Sequence, residues 1–128
     1  RQNSNRDEEI SKAYHILAGF KVRLEQQVQS NAINYLEKEY IAHTERYGEN
    51  DPKSMKTVID IADSYRYLKD SQESVNILRE QMKVIPFKTK PKHTIVSKTL
   101  YTMGIAYLDL GEFSYAIKCF EKGILMLQ

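Results

Sequence analysis

Apolar and small side chains return at fixed places along this chain, with polar residues filling the intervals. Ile16, Val58 and Leu100 lie 42 residues apart at each step (58 − 16 = 42; 100 − 58 = 42), and Phe20, Ala62 and Gly104 follow four residues behind them. Ala32, Ser74 and Ala116 form a third column, and Leu36, Leu78 and Phe120 a fourth. The four-residue step inside each copy is about one helical turn. A fixed period of this length with helical spacing inside it predicts helical hairpins stacked as a solenoid. The expected fold is all-α, with six helices over residues 8–28, 31–46, 53–69, 72–84, 95–110 and 113–127. The chain then divides into a polar leader (1–8), a degenerate first repeat (9–52), a second repeat (53–94) and a third (95–128).

Residue size inside the columns fits this reading. Packed helices sit about 8–10 Å apart, a distance set by the side chains between them. Gly104 with Ala116, and Ala62 with Ser74 one repeat earlier, are the small pairs expected to allow close approach, while Tyr107, Leu108 and Phe120 supply bulk between layers. Gly111 is the expected left-handed stop between the last two helices, whereas Lys69 and Asp70 fill the corresponding turn of the second repeat. Asp7, followed by Glu8 and Glu9, is a candidate start for the first helix. At the other end, the apolar run ILMLQ and the small residue Gly123 look like a seat for a following helix. The chain is accordingly expected to belong to a longer array.

The third copy, SKTLYTMGIAYLDLGEFSYAIKCFEKGILMLQ, resembles a tetratricopeptide repeat, with Leu100, Met103, Gly104, Tyr107, Gly111, Phe113, Ala116 and Phe120 at the signature positions. The second copy fits in register through Val58, Ile61, Ala62, Tyr65, Leu68, Ser74, Leu78 and the terminal Pro86. The first departs from the motif, with Phe20 in place of the small residue and Arg23 in place of the tyrosine. A 42-residue spacing exceeds the usual repeat of this family, and YGENDPKSMKTVIDIADSYRYL is similar to the turn and long first helix of kinesin-light-chain-like repeats, with Gly48 and Pro52 matching. The next turn does not match, since Lys90 and Thr94 stand where that pattern has glycine and proline. The resemblance implies a right-handed superhelical solenoid of about three hairpins.

It also implies a concave face lined by the first helix of each repeat. The family's ligand-facing positions fall on Lys56, Ile59, Asp63, Arg66 and Tyr67 in the second repeat, and on Lys98, Tyr101, Ile105, Leu108 and Asp109 in the third. In the first repeat they fall on Tyr14, Leu17, Lys21, Leu24 and Glu25. Apolar and aromatic patches between isolated charges suit an extended or helical peptide. The carboxylate clamp that grips chaperone tails is not expected, because Lys21, Asp63 and Ile105 occupy the positions where it needs asparagine.

Charge and composition narrow the chemistry. A balance of 19 basic against 17 acidic residues, net +2, gives no general attraction to nucleic acid. Lys88, Lys90 and Lys92, flanked by Arg79, Lys83 and Lys98, form a basic stretch that could meet an acidic partner or phosphate. No apolar run has the length of a membrane span, and neither a secretory leader nor a disulfide framework is read from the sequence, whose only cysteine is Cys119. A reducing, cytoplasmic setting is expected. His15, His43 and His93 fall in different repeats, without zinc-ligand spacing. There is no phosphate-binding glycine loop or nucleophile motif. Glu37/Glu39 and Asp60/Asp63 read as solvated surface, and Cys119 as a packed side chain. The sequence therefore points to a non-enzymatic module without cofactor or metal, of undetermined oligomeric state, that binds a protein or peptide partner. Three roles fit: a scaffold or adaptor, a peptide-sensing domain of a bacterial regulator, and a structural module of a large assembly.

Overall fold

The computed structural model describes the backbone of residues 2–85 and 93–128 and the side chains of residues 4–85 and 94–128. Lys88, Lys90 and Lys92 lie outside the described residues. Among those described there are five helices: α1 (Gln2–Tyr47), α2 (Pro52–Tyr67), α3 (Ser71–Val84), α4 (His93–Asp109) and α5 (Phe113–Leu127). The last four agree with the expected spans to within two residues at each end. The expected helices 8–28 and 31–46 do not separate; they are one helix of 46 residues. The reason is local. The stretch EQQVQSNAIN contains neither glycine nor proline to end a helix. Gln27 Nε2 donates to Asn31 Oδ1 at 3.0 Å, which bridges the place of the expected turn.

α1 changes character along its length. Residues 4–28 are exposed throughout, so Ile10, Tyr14, Ile16, Leu17, Phe20 and Leu24 pack against no other helix. Ile33 is the first buried side chain among its described residues, and the helix then lies against α2. His43 Nδ1 reaches Thr57 Oγ1 at 3.1 Å across that joint. Because the Thr57 hydroxyl donates to Lys53 O, it accepts here from the imidazole N–H.

The turn after α1 is built from its own residues. Gly48 adopts a φ of 88° and its N–H closes onto Thr44 O. Asp51 caps α2 by accepting from the Lys53 N–H at 2.9 Å, and Pro52 occupies the first helical turn. α2 then packs against α1, α3 and α4. α3 packs on both α2 and α4, while α5 lies against α4.

The hairpins α2–α3 and α4–α5 turn in the same way, 42 residues apart. Lys69 (φ 66°) and Gly111 (φ 76°) are the left-handed residues (111 − 69 = 42). The following N–H, from Asp70 or Glu112, bonds to Tyr65 O or Tyr107 O at 2.9 Å in each case. A side chain at such a φ is strained where glycine is not. Lys69→Gly should therefore stabilise the protein by about 0.5–1 kcal/mol, the relief of strain exceeding the extra entropy glycine loses on folding. Urea unfolding of the two proteins measures it, and a loss of stability would contradict the strained turn.

Two adjoining clusters form the core. One joins Ile59, Ala62, Val75, Leu78, Met103, Ala106, Tyr107, Ala116 and Cys119; the other joins Met55, Ile85, Val96 and Leu100. Burial pushes the Cys119 thiol up from its ordinary pKa, against the opposing charges of Lys122 and Arg79, as befits a packed rather than reactive group. Gly104 is small because of Phe120: a Cβ there would sit 2.7 Å from the ring. Leu108 does not fill space between layers as expected; it is 42% exposed. Gly123 is likewise no vacant seat, since α4 already covers it, with Ser97 Oγ donating to Gly123 O at 3.2 Å.

Candidate functional site

The first helices of the two hairpins, α2 and α4, are in contact. Lys56 and Tyr67 stand exposed on α2, and Lys98, Tyr101, Leu108 and Asp109 on α4, with Asp63, Arg66 and Ile105 half-buried. Positions 56 and 98, 63 and 105, and 67 and 109 are 42 residues apart, so equivalent turns of two equivalent helices supply the face. Ile59 departs from the expected lining. It points into the core with Ala62 and Met103 and is 7% exposed. The counterparts on α1, Tyr14, Leu17, Lys21, Leu24 and Glu25, are exposed on a stretch that no other helix joins.

Three of the expected residues are held together by one ion-pair network. Arg66 Nε donates to Asp109 Oδ2 at 3.0 Å and its Nη1 to Asp63 Oδ1 at 3.2 Å. Ser71 Oγ donates to the same Asp109 oxygen at 3.1 Å. Burial works against the Arg66 charge, but the hydrogen bond and charge of Asp109, then those of Asp63, outweigh it and raise the guanidinium's pKa. Arg66 thus ties the end of α2 to the end of α4, with two of its N–H donors engaged. Beside it a shallow depression of about 410 Å³ is lined by Arg66, Tyr67, Lys69, Ser71, Asp109 and Leu110. Tyr101 is also partly committed, its ring tilted against Phe120 with centroids 5.7 Å apart. Lys56, Lys98 and Leu108 have no such partner among the described residues, and the exposed Tyr67 ring lies 6.0 Å from the Arg66 guanidinium carbon.

Residues 97–126 match the tetratricopeptide repeat. This segment is nearly all of α4 and α5, the hairpin in which the sequence motif is clearest. No curated protein and no solved structure matches the chain. Tetratricopeptide repeats generally mediate protein–protein interactions and are generally non-catalytic. No described helix is long and apolar enough to cross a membrane. Among the described residues, no three His, Cys, Asp or Glu side chains gather as a metal site would require.

Sequence reasoning passes over one member of the repeat's neighbouring face. By its spacing Asp60 reads as plain solvated surface, yet it is half-buried between Lys56 and Asp63 and within electrostatic reach of Lys98 on α4 and Glu39 on α1. Burial raises its pKa above the ordinary 3.8; Lys56 and Lys98 oppose the shift, and Asp63 and Glu39 add to it. The signal in the sequence is its helical position, one turn after Lys56 and nearly one before Asp63. A raised carboxyl pKa means the folded state holds this proton more tightly than the unfolded chain, so ionisation costs stability as pH rises through and above 3.8. Asp60→Asn should therefore melt higher at neutral pH by a few tenths of a kcal/mol, since water screens the site. The gain should vanish below the ordinary value of 3.8. Thermal melts from acid to neutral pH read this directly, and a variant less stable at neutral pH would contradict it.

Proposed function

We propose that this chain is a non-catalytic scaffold or adaptor module whose α2–α4 face captures a peptide segment of a partner protein. In this reading the hairpins are successive members of a right-handed superhelical array of long, 42-residue repeats, similar to those of kinesin light chains, working in the cytoplasm. The observation that supports the reading is the contact between α2 and α4, two helices related by the repeat period on which Lys56, Tyr67, Lys98 and Leu108 are exposed. Aromatic and aliphatic anchors between isolated cations suit a peptide bearing apolar side chains and a carboxylate or two. Asp60 and Asp63 add selectivity by repelling a carboxylate placed against the α2 side. Arg66, Asp109 and Ile59 support the face rather than contact the ligand.

A displayed peptide library selected on the chain tests this, with Tyr67→Ala and Lys98→Glu as variants because both side chains are exposed and neither holds the fold. Each should weaken a selected peptide by about tenfold or more. Peptides whose affinity neither variant changes would overturn the assignment of the face.

A further inference from the structure

On the other side of α2 the helices leave a second recess. α1 and α3 both pack on α2, their backbones do not come close to one another, and a cleft of about 500 Å³ opens between them. Its floor is Val58, Ile61 and Tyr65 of α2, spaced at i, i+3 and i+7. These point nearly opposite to Lys56, Asp60, Asp63 and Tyr67, so the cleft is separate from the α2–α4 face. Ile77 and Val84 of α3 continue the apolar lining.

The rim has one sign of charge. Glu37 of α1, Glu49 of the following turn, and Glu73 and Glu80 of α3 all line the cleft, and among the described residues no lysine or arginine does. Glu80 has a neighbour in Lys83 at 2.9 Å, a pair that is about 70% exposed on each side. Glu37, Glu49 and Glu73 have no ion-pair partner among the described residues. By contrast, the carboxylates of the α2–α4 face, Asp63 and Asp109, are matched by Arg66. The Tyr65 phenol on the cleft floor reports the resulting field: burial raises its pKa, and Glu37, Glu73 and Asp70 raise it further. An apolar trough with unmatched anionic walls is complementary to one kind of surface.

We propose that the α1–α3 cleft is a second docking surface, and that its occupant is a basic amphipathic helix of a partner protein. A helix laid along α2 would insert its apolar side into the cleft of about 500 Å³ between α1 and α3. An incoming helix would lay leucine- or isoleucine-type side chains over Val58, Ile61 and Ile77. Its lysines or arginines would meet Glu37 and Glu49 on one wall and Glu73 and Glu80 on the other. The chain would then hold two protein segments at once, one on each side of α2.

The test uses the whole 128-residue chain and two synthetic labelled peptides. Each is about 18 residues long with leucine at i, i+3, i+4 and i+7; one carries lysine on its flanks and the other glutamate. Fluorescence anisotropy should show the lysine peptide binding at least about tenfold tighter, with affinity falling as salt is raised. The double variant Glu37→Gln/Glu73→Gln should lose about tenfold in affinity, while Tyr67→Ala and Lys98→Glu on the opposite face leave it unchanged. Both glutamates are outside the core, and a thermal melt checks that the double variant is folded. Hydrogen exchange on the unmodified chain gives a readout free of any variant: bound lysine peptide should protect residues 58–65 and 73–84. Equal binding of the two peptides, an unchanged affinity in the double variant, or protection confined to α4 would each overturn the proposal.

Discussion

Replacing Leu78 with alanine should lower the unfolding free energy by about 3 kcal/mol, through lost transfer energy and the cavity left behind. Leu78 is fully buried at 0% exposure on α3, in the cluster that joins Ile59, Val75, Met103 and Ala116. α3 packs against α2 and α4 together, so neither neighbour can close the gap without leaving the other. For a domain of this size the loss corresponds to a fall in melting temperature of about 10 °C. Ile117→Ala on α5 is the matched control. Its side chain is 55% exposed, and the change should stay within about 0.5 kcal/mol. Urea titrations of both proteins decide the matter, and a similar loss at the two sites would mean that Leu78 is not packed as described.

Gln81 should show the next largest effect, and its chemistry can be separated from its volume. This side chain is 6% exposed and joins three helices: from α3 its Nε2 donates to Met55 O of α2 at 3.1 Å and to Thr99 Oγ1 of α4 at 3.3 Å. Gln81→Ala removes both bonds and the volume, a loss of about 2–3 kcal/mol. Gln81→Met keeps the volume. It strands no buried donor, since Thr99 Oγ1 still donates to Ile95 O at 2.9 Å. That variant should lose only about 1 kcal/mol, the net worth of the hydrogen bonds. Equal losses in the two variants would show that packing contributes nothing at this joint.

The repeat columns show how much of the fold is legible in the sequence. Leu36, Leu78 and Phe120 share a column, yet only Leu78 is completely buried, while the other two are partly covered. Val58 and Leu100 are buried where their column partner Ile16 is 57% exposed. In the same way Ala62 is buried while Phe20 is 59% exposed. The period marks equivalent places on equivalent helices. Burial depends on whether another helix lies across that place, and no helix crosses residues 4–28 of α1. The first repeat departs from the pattern for a further local reason: its sequence has neither glycine nor proline near Ser30, and no hairpin forms there.

The candidate faces divide in the same manner. Helical spacing and the family resemblance single out Lys56, Tyr67, Lys98 and Leu108. They do not reveal that Arg66 is committed to Asp63 and Asp109, because Arg66 and Asp109 are 43 residues apart and meet only when the hairpins pack. Nor can they reveal the α1–α3 cleft, whose walls come from two helices brought together by packing on a third. By itself the sequence determined the helices from α2 onward, the glycine stop at Gly111 and the period, because these depend on residues within a turn or two of one another or on a simple recurrence. The tertiary structure alone decided which of those faces are covered, which charges are matched and where recesses open. Those outcomes depend on contacts between residues distant along the chain, which local spacing does not encode.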